Sequence, residues 1–181
     1  MSEPNVSLRN PAKAAFLAWL VPGLGHFYQG RTGKGILYAV CILGLYVIGM
    51  VMGEGKVVYW RWVNPFNNPE KFCLYYLGQF FVGLPAFPAL IQSTLHHYGK
   101  DPILWGLMAE PTQTVLNGLQ RHLGKLVEIG TIYTTVAGLL NILAIYDAYE
   151  GPAYQDFEDE AAARPSGQPL PTAGLRPEGS V

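Results

Sequence analysis

The chain has 181 residues, half of them hydrophobic and 14% charged, with a net charge of −1. Soluble domains usually carry about 25% charged residues, so this chain is short of groups to cover a water-facing surface, and its near-neutral balance gives no electrostatic footprint for nucleic acid. Cys41 and Cys73 lie in apolar blocks without CxxC spacing and define no redox compartment.

In chain order, residues 1–11 form a polar N-terminus, and Pro11 suits the first turn of a helix starting at residue 12. The apolar run Ala14 to Val21 ends in Pro-Gly-Leu-Gly and not in a small-x-small cleavage site, so the N-terminus is expected to stay on the mature chain. Residues 14–29 are uncharged, but as a helix they reach only about 24 Å against a hydrocarbon core of about 30 Å. Pro22, Gly23 and Gly25 also interrupt them. Broken backbone at membrane depth survives only where protein or a water-filled cavity satisfies its carbonyls. A short first membrane helix, forming a hairpin or re-entrant element packed on its neighbours, is expected.

No charged residue occurs from Gly35 to Gly53, from Phe72 to Gln92 or from Ile129 to Tyr146. Each stretch nears the roughly 18–20 residues that cross a bilayer as a helix, which predicts three full spans at about 35–53, 72–92 and 129–149. Pro85 and Pro88 predict a kink near Leu84 in the second of these. Between the first two blocks, Tyr59, Trp60 and Trp62 around Arg61 have the composition of interfacial anchors, followed by Asn-Pro turns. At about 112–127, Val115, Leu119, Leu123 and Leu126 form one stripe of an amphipathic helix, either lying in the membrane surface or covering the bundle as a lid. Residues 150–181 turn acidic and then rich in Pro and Gly, which predicts a disordered tail. The fold class expected for residues 12–149 is therefore an all-α, multi-pass integral domain of the cell membrane.

The cations bear on orientation, because cytoplasmic loops are enriched in Lys and Arg. Four crossing segments divide ten of them five against five; a re-entrant first segment gives seven against three, with Arg164 and Arg176 of the tail set aside. The second count favours re-entry and places the Gly30 to Gly35 loop in the cytoplasm.

The stretch VPGLGHFYQGRTGKG, residues 21–35, looks at first like a phosphate loop. Tyr28 stands where a Walker loop needs its first glycine, Gly35 follows Lys34 where Ser or Thr is required, and Tyr28 also breaks a dinucleotide fingerprint begun at Gly23. Its glycines, including Gly30 and Gly33, are read as packing and turning elements. Phe27 and Tyr28 then anchor at the interface, while Arg31 and Lys34 meet lipid phosphates.

His26, Phe27, Tyr28, Gly30 and Arg31 fall on a Gly-x-Gly-His-Phe-Tyr-x-Gly-Arg turn between apolar helices. In this, about residues 14–40 resemble the two-transmembrane-helix domain family, and Asp147 looks like the aspartate that family carries near the end of its second span. The family's Arg between His and Phe is absent here, and roughly a hundred residues with another apolar block separate the turn from Asp147. The likeness is to an elaborated, uncharacterised bacterial form. It implies an integral membrane protein of undetermined molecular function without established enzymatic chemistry.

His26, at the end of a membrane segment, is a functional candidate by default; the plainer reading is a neutral imidazole bonded to a carbonyl freed around Pro22. Asp147 can pair with His26, Arg31 or Lys34 if the first and last segments touch. Asn141 and Gln79 are read as hydrogen-bonding between helices. His96, His97 and Asp101 do not make a metal set, and no Ser elbow or His-Glu-x-x-His helix is present. No cofactor is expected. The reading is a membrane scaffold or interaction protein, its partners the lipid bilayer and other membrane proteins or further copies of itself, for which Gly49-x-x-x-Gly53 permits helix association. The alternatives are a transporter or channel component using broken helices, and a membrane-embedded enzyme using His26 and Asp147.

Overall fold

The computed structural model describes residues 10–63, 66 and 72–151; the expected tail and the N-terminus before Asn10 lie outside the described residues. Within them the chain is all-α, with seven α-helices and no strand. Helix α1 (Pro11–Leu20) starts where the Asn10 side chain accepts from the Ala12 and Lys13 N–H groups and Pro11 needs no donor. The chain then turns at Gly23, whose φ of 87° an L-residue rarely adopts, into the short α2 (Leu24–Tyr28).

Two helices, α3 (Thr32–Met52) and the last helix, α7 (Leu126–Glu150), are long and apolar enough to cross a membrane. They run antiparallel and set the frame. Close contact between them depends on small residues: a Cβ built on Gly49 would lie 2.7 Å from the Gly130 carbonyl, and one on Gly130 2.6 Å from that of Gly49. The buried face of α7 continues with Thr134, Ala137, Gly138, Asn141, Ala144 and Ala148 at helical spacing. Gly49 and Gly53, whose spacing permits helix association, are thus both buried inside their own chain.

The expected second span is not one helix. Residues 72–92 form α4 (Leu74–Phe80), a 3₁₀ turn at Leu84–Ala86 and the start of α5 (Phe87–His97). Pro85 and Pro88 do more than kink the chain: they lack donors, and Gly83 at φ 87° reverses it, so that α5 returns toward the end from which α4 came. The anchors are clear. Gln79 of α4 donates to Val57 O, and past α5 the Met108 N–H donates to Gly55 O at 2.9 Å. Residues 54–63 and 72–125 therefore leave from and come back to the same end of the α3–α7 pair, by way of the 3₁₀ turn at Leu104–Gly106 and α6 (Gln113–Leu123).

The first hairpin does the same from the opposite end. Ala14 and Tyr28, near its two ends, both pack with Ala148 in α7. Its tip meets the tip of the second hairpin partway along α7: Trp19 packs its ring against Phe80 and Phe87, with centroids 5.6 and 5.9 Å away. A side chain at Gly83 would collide with the Trp19 carbonyl. This arrangement removes the basis of the seven-against-three count. Among the described cations, Lys13, Arg31 and Lys34 lie at one end of α7, and Lys56, Arg61, Lys100, Arg121 and Lys125 at the other, three against five.

Helix α6 buries Leu119 and half-buries Leu116 and Leu123, whereas Val115 and Leu126 of the expected stripe are exposed. With Leu116 and Gln120 it lines a cavity of about 310 Å³ walled by Tyr59, Tyr75 and Glu128.

Candidate functional site

The glycine-rich turn and the end of α7 converge on one carboxylate. The short helix α2 points its buried His26 at α7, where Nε2 stands 2.8 Å from Asp147 Oδ2. An ionised carboxylate only accepts, so the shared proton sits on Nε2. Arg31, fixed by its N–H to His26 O at 2.8 Å, donates through Nη2 to both carboxylate oxygens at 3.1 and 3.2 Å and through Nη1 to the Asp147 carbonyl at 3.1 Å. Lys34, in the first turn of α3, adds a longer contact of 3.3 Å. Gln29 donates to the Ala148 carbonyl.

Burial grades these contacts. The His26 side chain is 0% exposed, Arg31 12%, Asp147 24% and Lys34 48%, so a partly exposed ion pair at the end of α7 lies beside a fully covered imidazole. His26 also packs on Tyr38, ring centroids 4.7 Å apart, and its Nδ1 is buried without a hydrogen-bond partner among the described residues. Of the two partners the sequence offers this imidazole, a carbonyl freed around Pro22 and the Asp147 carboxylate, the structure gives Asp147: the backbone between α1 and α2 closes on itself, Leu24 N–H to Val21 O and His26 N–H to Gly23 O, and the Ala18 carbonyl that Pro22 frees is taken by Asn141.

The other motif residues serve the approach of segments. Pro22, Gly23 and Gly25 are buried; a side chain at Gly25 would collide with the Ala14 carbonyl, and Phe27 lies over Gly35. Gly30, with φ at 80°, makes the turn before Arg31, and Gly33 stands exposed in the first turn of α3. Tyr28 is half-buried beside Ala14 and Ala18, and Phe27 is 39% exposed.

Of Tyr59, Trp60 and Trp62, expected as interfacial anchors, only Trp62 is exposed. Trp60 packs between Trp62, Phe72 and Tyr76, so it belongs to the fold's interior edge. Tyr59 faces the cavity beneath α6, and burial pushes its phenol above its ordinary value.

A second polar constellation was only half legible. Asn141, fully buried, donates Nδ2 to the Phe81 carbonyl at 2.8 Å and to the Ala18 carbonyl at 3.1 Å, so one amide serves the open ends of α4 and α1 together. Tyr46 and Tyr76 donate their hydroxyls to the Pro85 and Ala86 carbonyls at 2.9 and 2.8 Å. Gln79 links to Thr134 at 2.8 Å. Asn141 and Gln79 are interhelical, but Tyr46 and Tyr76 gave no sequence signal, since a phenol in an apolar run looks like any other ring. Among the described residues no three His, Cys, Asp or Glu side chains converge in a way that would hold a metal.

The family model described as Family of unknown function (DUF6677) matches residues 13–161. That match takes in both hairpins, both long helices and the His26–Asp147 cluster. No curated protein and no solved structure matches the chain.

Proposed function

The chain belongs to the DUF6677 family of unknown function, and we propose that it is an integral, multi-pass protein of the cell membrane acting as a scaffold for other membrane components. In this reading α3 and α7 cross the bilayer, the α1–α2 and α4–α5 hairpins enter from opposite faces without crossing, and α6 closes one face. The observation that carries it is how the polar groups are used. His26, Arg31 and Lys34 are directed to Asp147, and carbonyls freed at the helix breaks are taken up by Asn141, Tyr46 and Tyr76. These groups hold helices together, as the likeness of residues 14–40 to the two-transmembrane-helix domain family also supports. We read the protein as a non-enzyme on the same ground: His26 is fully covered and its Nε2 is committed to Asp147.

The broken hairpins favour a second reading, a transporter or channel component, since discontinuous helices meeting partway through the bilayer build such sites. Its weakness is that Asn141 and Gly83 close the meeting point.

The positive-inside rule, applied to three described cations against five, favours the face of Lys56, Arg61, Lys100, Arg121 and Lys125 as cytoplasmic. Two measurements test the membrane reading. The protein should stay in the pellet after alkaline carbonate extraction, and Thr32→Cys in a chain carrying Cys41→Ala and Cys73→Ala should react with an impermeant maleimide in intact cells. Release into the supernatant overturns the membrane assignment. Protection of residue 32 until the cells are opened overturns the orientation alone.

A further inference from the structure

We propose that the loop Ile103 to Leu107 is a rigid anchor for the lipid headgroup boundary, with Trp105 as its inserted side chain. The proposal rests on the membrane reading above and adds to it a contact the sequence did not reveal.

Trp105 is 100% exposed, and Ile103, Leu104 and Leu107 around it are each more than two-fifths exposed. The backbone that displays them is strained. Leu104, Trp105 and Met108 have φ of 53°, 53° and 57°, in the left-handed region that L-residues with side chains avoid. Such a conformation persists only where its surroundings over-determine it.

Here they do. Gln92, 1% exposed on α5, accepts the Ile103 N–H at 3.0 Å and donates to the Ile103 and Leu107 carbonyls, the latter at 3.1 Å. The Lys56 ammonium donates to the Gly106 carbonyl, and the Met108 N–H bonds to Gly55 O. A connection between α5 and α6 needs none of this, and a loop bathed in water gains nothing by holding an indole outward.

The position identifies the occupant. Helix α3, 21 residues long, measures about 31 Å, close to the hydrocarbon thickness, and the loop is pinned to Gly55, three residues past its end. That is the level where acyl chains give way to headgroups and where Trp, apolar with one N–H, is enriched. Exposed Lys100 lies at the same end, available to phosphates. Gln92 is the positioning residue.

The test places a nitroxide at Trp105→Cys in the full chain with Cys41→Ala and Cys73→Ala, reconstituted in phosphatidylcholine and phosphatidylglycerol vesicles. A second label at Asn117→Cys, exposed on α6, gives the aqueous reference. The label at 105 should show oxygen access well above nickel-chelate access and slow motion, and Gln92→Ala should raise its mobility several-fold. Nickel access equal to that at 117, or dipolar broadening between copies, overturns the proposal while leaving the membrane reading intact; failure to enter vesicles at all sinks that reading instead. If the cysteine-free chain does not fold, dibrominated phosphatidylcholine should quench a larger fraction of tryptophan emission in the native chain than in Trp105→Phe. Equal fractions overturn the anchor.

Discussion

The α1–α2 hairpin is fastened at its base by charge, with His26, Arg31 and Lys34 drawn to Asp147, whereas the α4–α5 hairpin is fastened by neutral groups, the phenols of Tyr46 and Tyr76 and the amide of Gln79. The difference follows burial. The charged contacts sit at the end of α7, where Asp147 is 24% exposed, and ions there keep part of their hydration. The neutral contacts are made by side chains no more than 3% exposed, where an ion would be stripped of water and a hydroxyl or amide costs far less to bury. Both hairpins also share one fastening, the Asn141 amide at their touching tips.

That shared point should give the largest effect. Asn141→Leu leaves the Ala18 and Phe81 carbonyls without a donor, a cost of about 2–4 kcal/mol in total, and it should loosen both hairpins together. Hydrogen exchange in detergent micelles would read this as faster amide exchange over residues 11–28 and 74–97, with low recovery of protein from membranes. Faster exchange in one hairpin only would separate what the geometry joins.

Next comes Asp147→Asn. It strips the counter-charge from Arg31, whose side chain is 12% exposed, while keeping the shape of the acceptor. We expect a loss of about 2 kcal/mol, below the roughly 3–5 of a fully buried broken pair because water reaches the site. Exchange should rise over residues 11–28 and stay unchanged over 74–97. Lys34 contributes little to this, being half-exposed and more than 3 Å from the carboxylate. Equal loosening of both hairpins would mean that the charged cluster holds the whole bundle, and the contrast between the two would fall.

What the sequence revealed follows from what hydropathy measures. An uncharged run says nothing about direction: of the three stretches read as spans, Gly35 to Gly53 and Ile129 to Tyr146 lie in helices long and apolar enough to cross a membrane, while Phe72 to Gln92, equally uncharged, turns back on itself. The turn lay in Gly83 and the two prolines after it, whose joint effect depends on the Trp19 carbonyl that leaves no room for a side chain. The His26–Asp147 contact joins residues 121 positions apart, and no local pattern encodes it; only the motif pointed toward Asp147. Tryptophans were the poorest guide. Trp60 and Trp105 occur in similarly aromatic or apolar company, yet one packs against Phe72 and Tyr76 and the other is held wholly outside by a buried glutamine that composition cannot connect to it.

The smallest effect is expected from Tyr46→Phe, and it is the sharpest probe of the second hairpin. The ring is 3% exposed and its hydroxyl donates to the Pro85 carbonyl at 2.9 Å; removing one oxygen leaves the packing as it was and the carbonyl without its donor, a cost of about 1 kcal/mol. A carbonyl just ahead of Ala86 in a 3₁₀ turn has few other donors, since Pro88 has no N–H and Tyr76 already serves Ala86. Exchange should therefore quicken over residues 84–97 by about five-fold, the factor that corresponds to 1 kcal/mol, with residues 11–28 unaffected. If the first hairpin loosened as well, the tips would transmit strain between the two, and Gly83 against the Trp19 carbonyl would be the place where they do so.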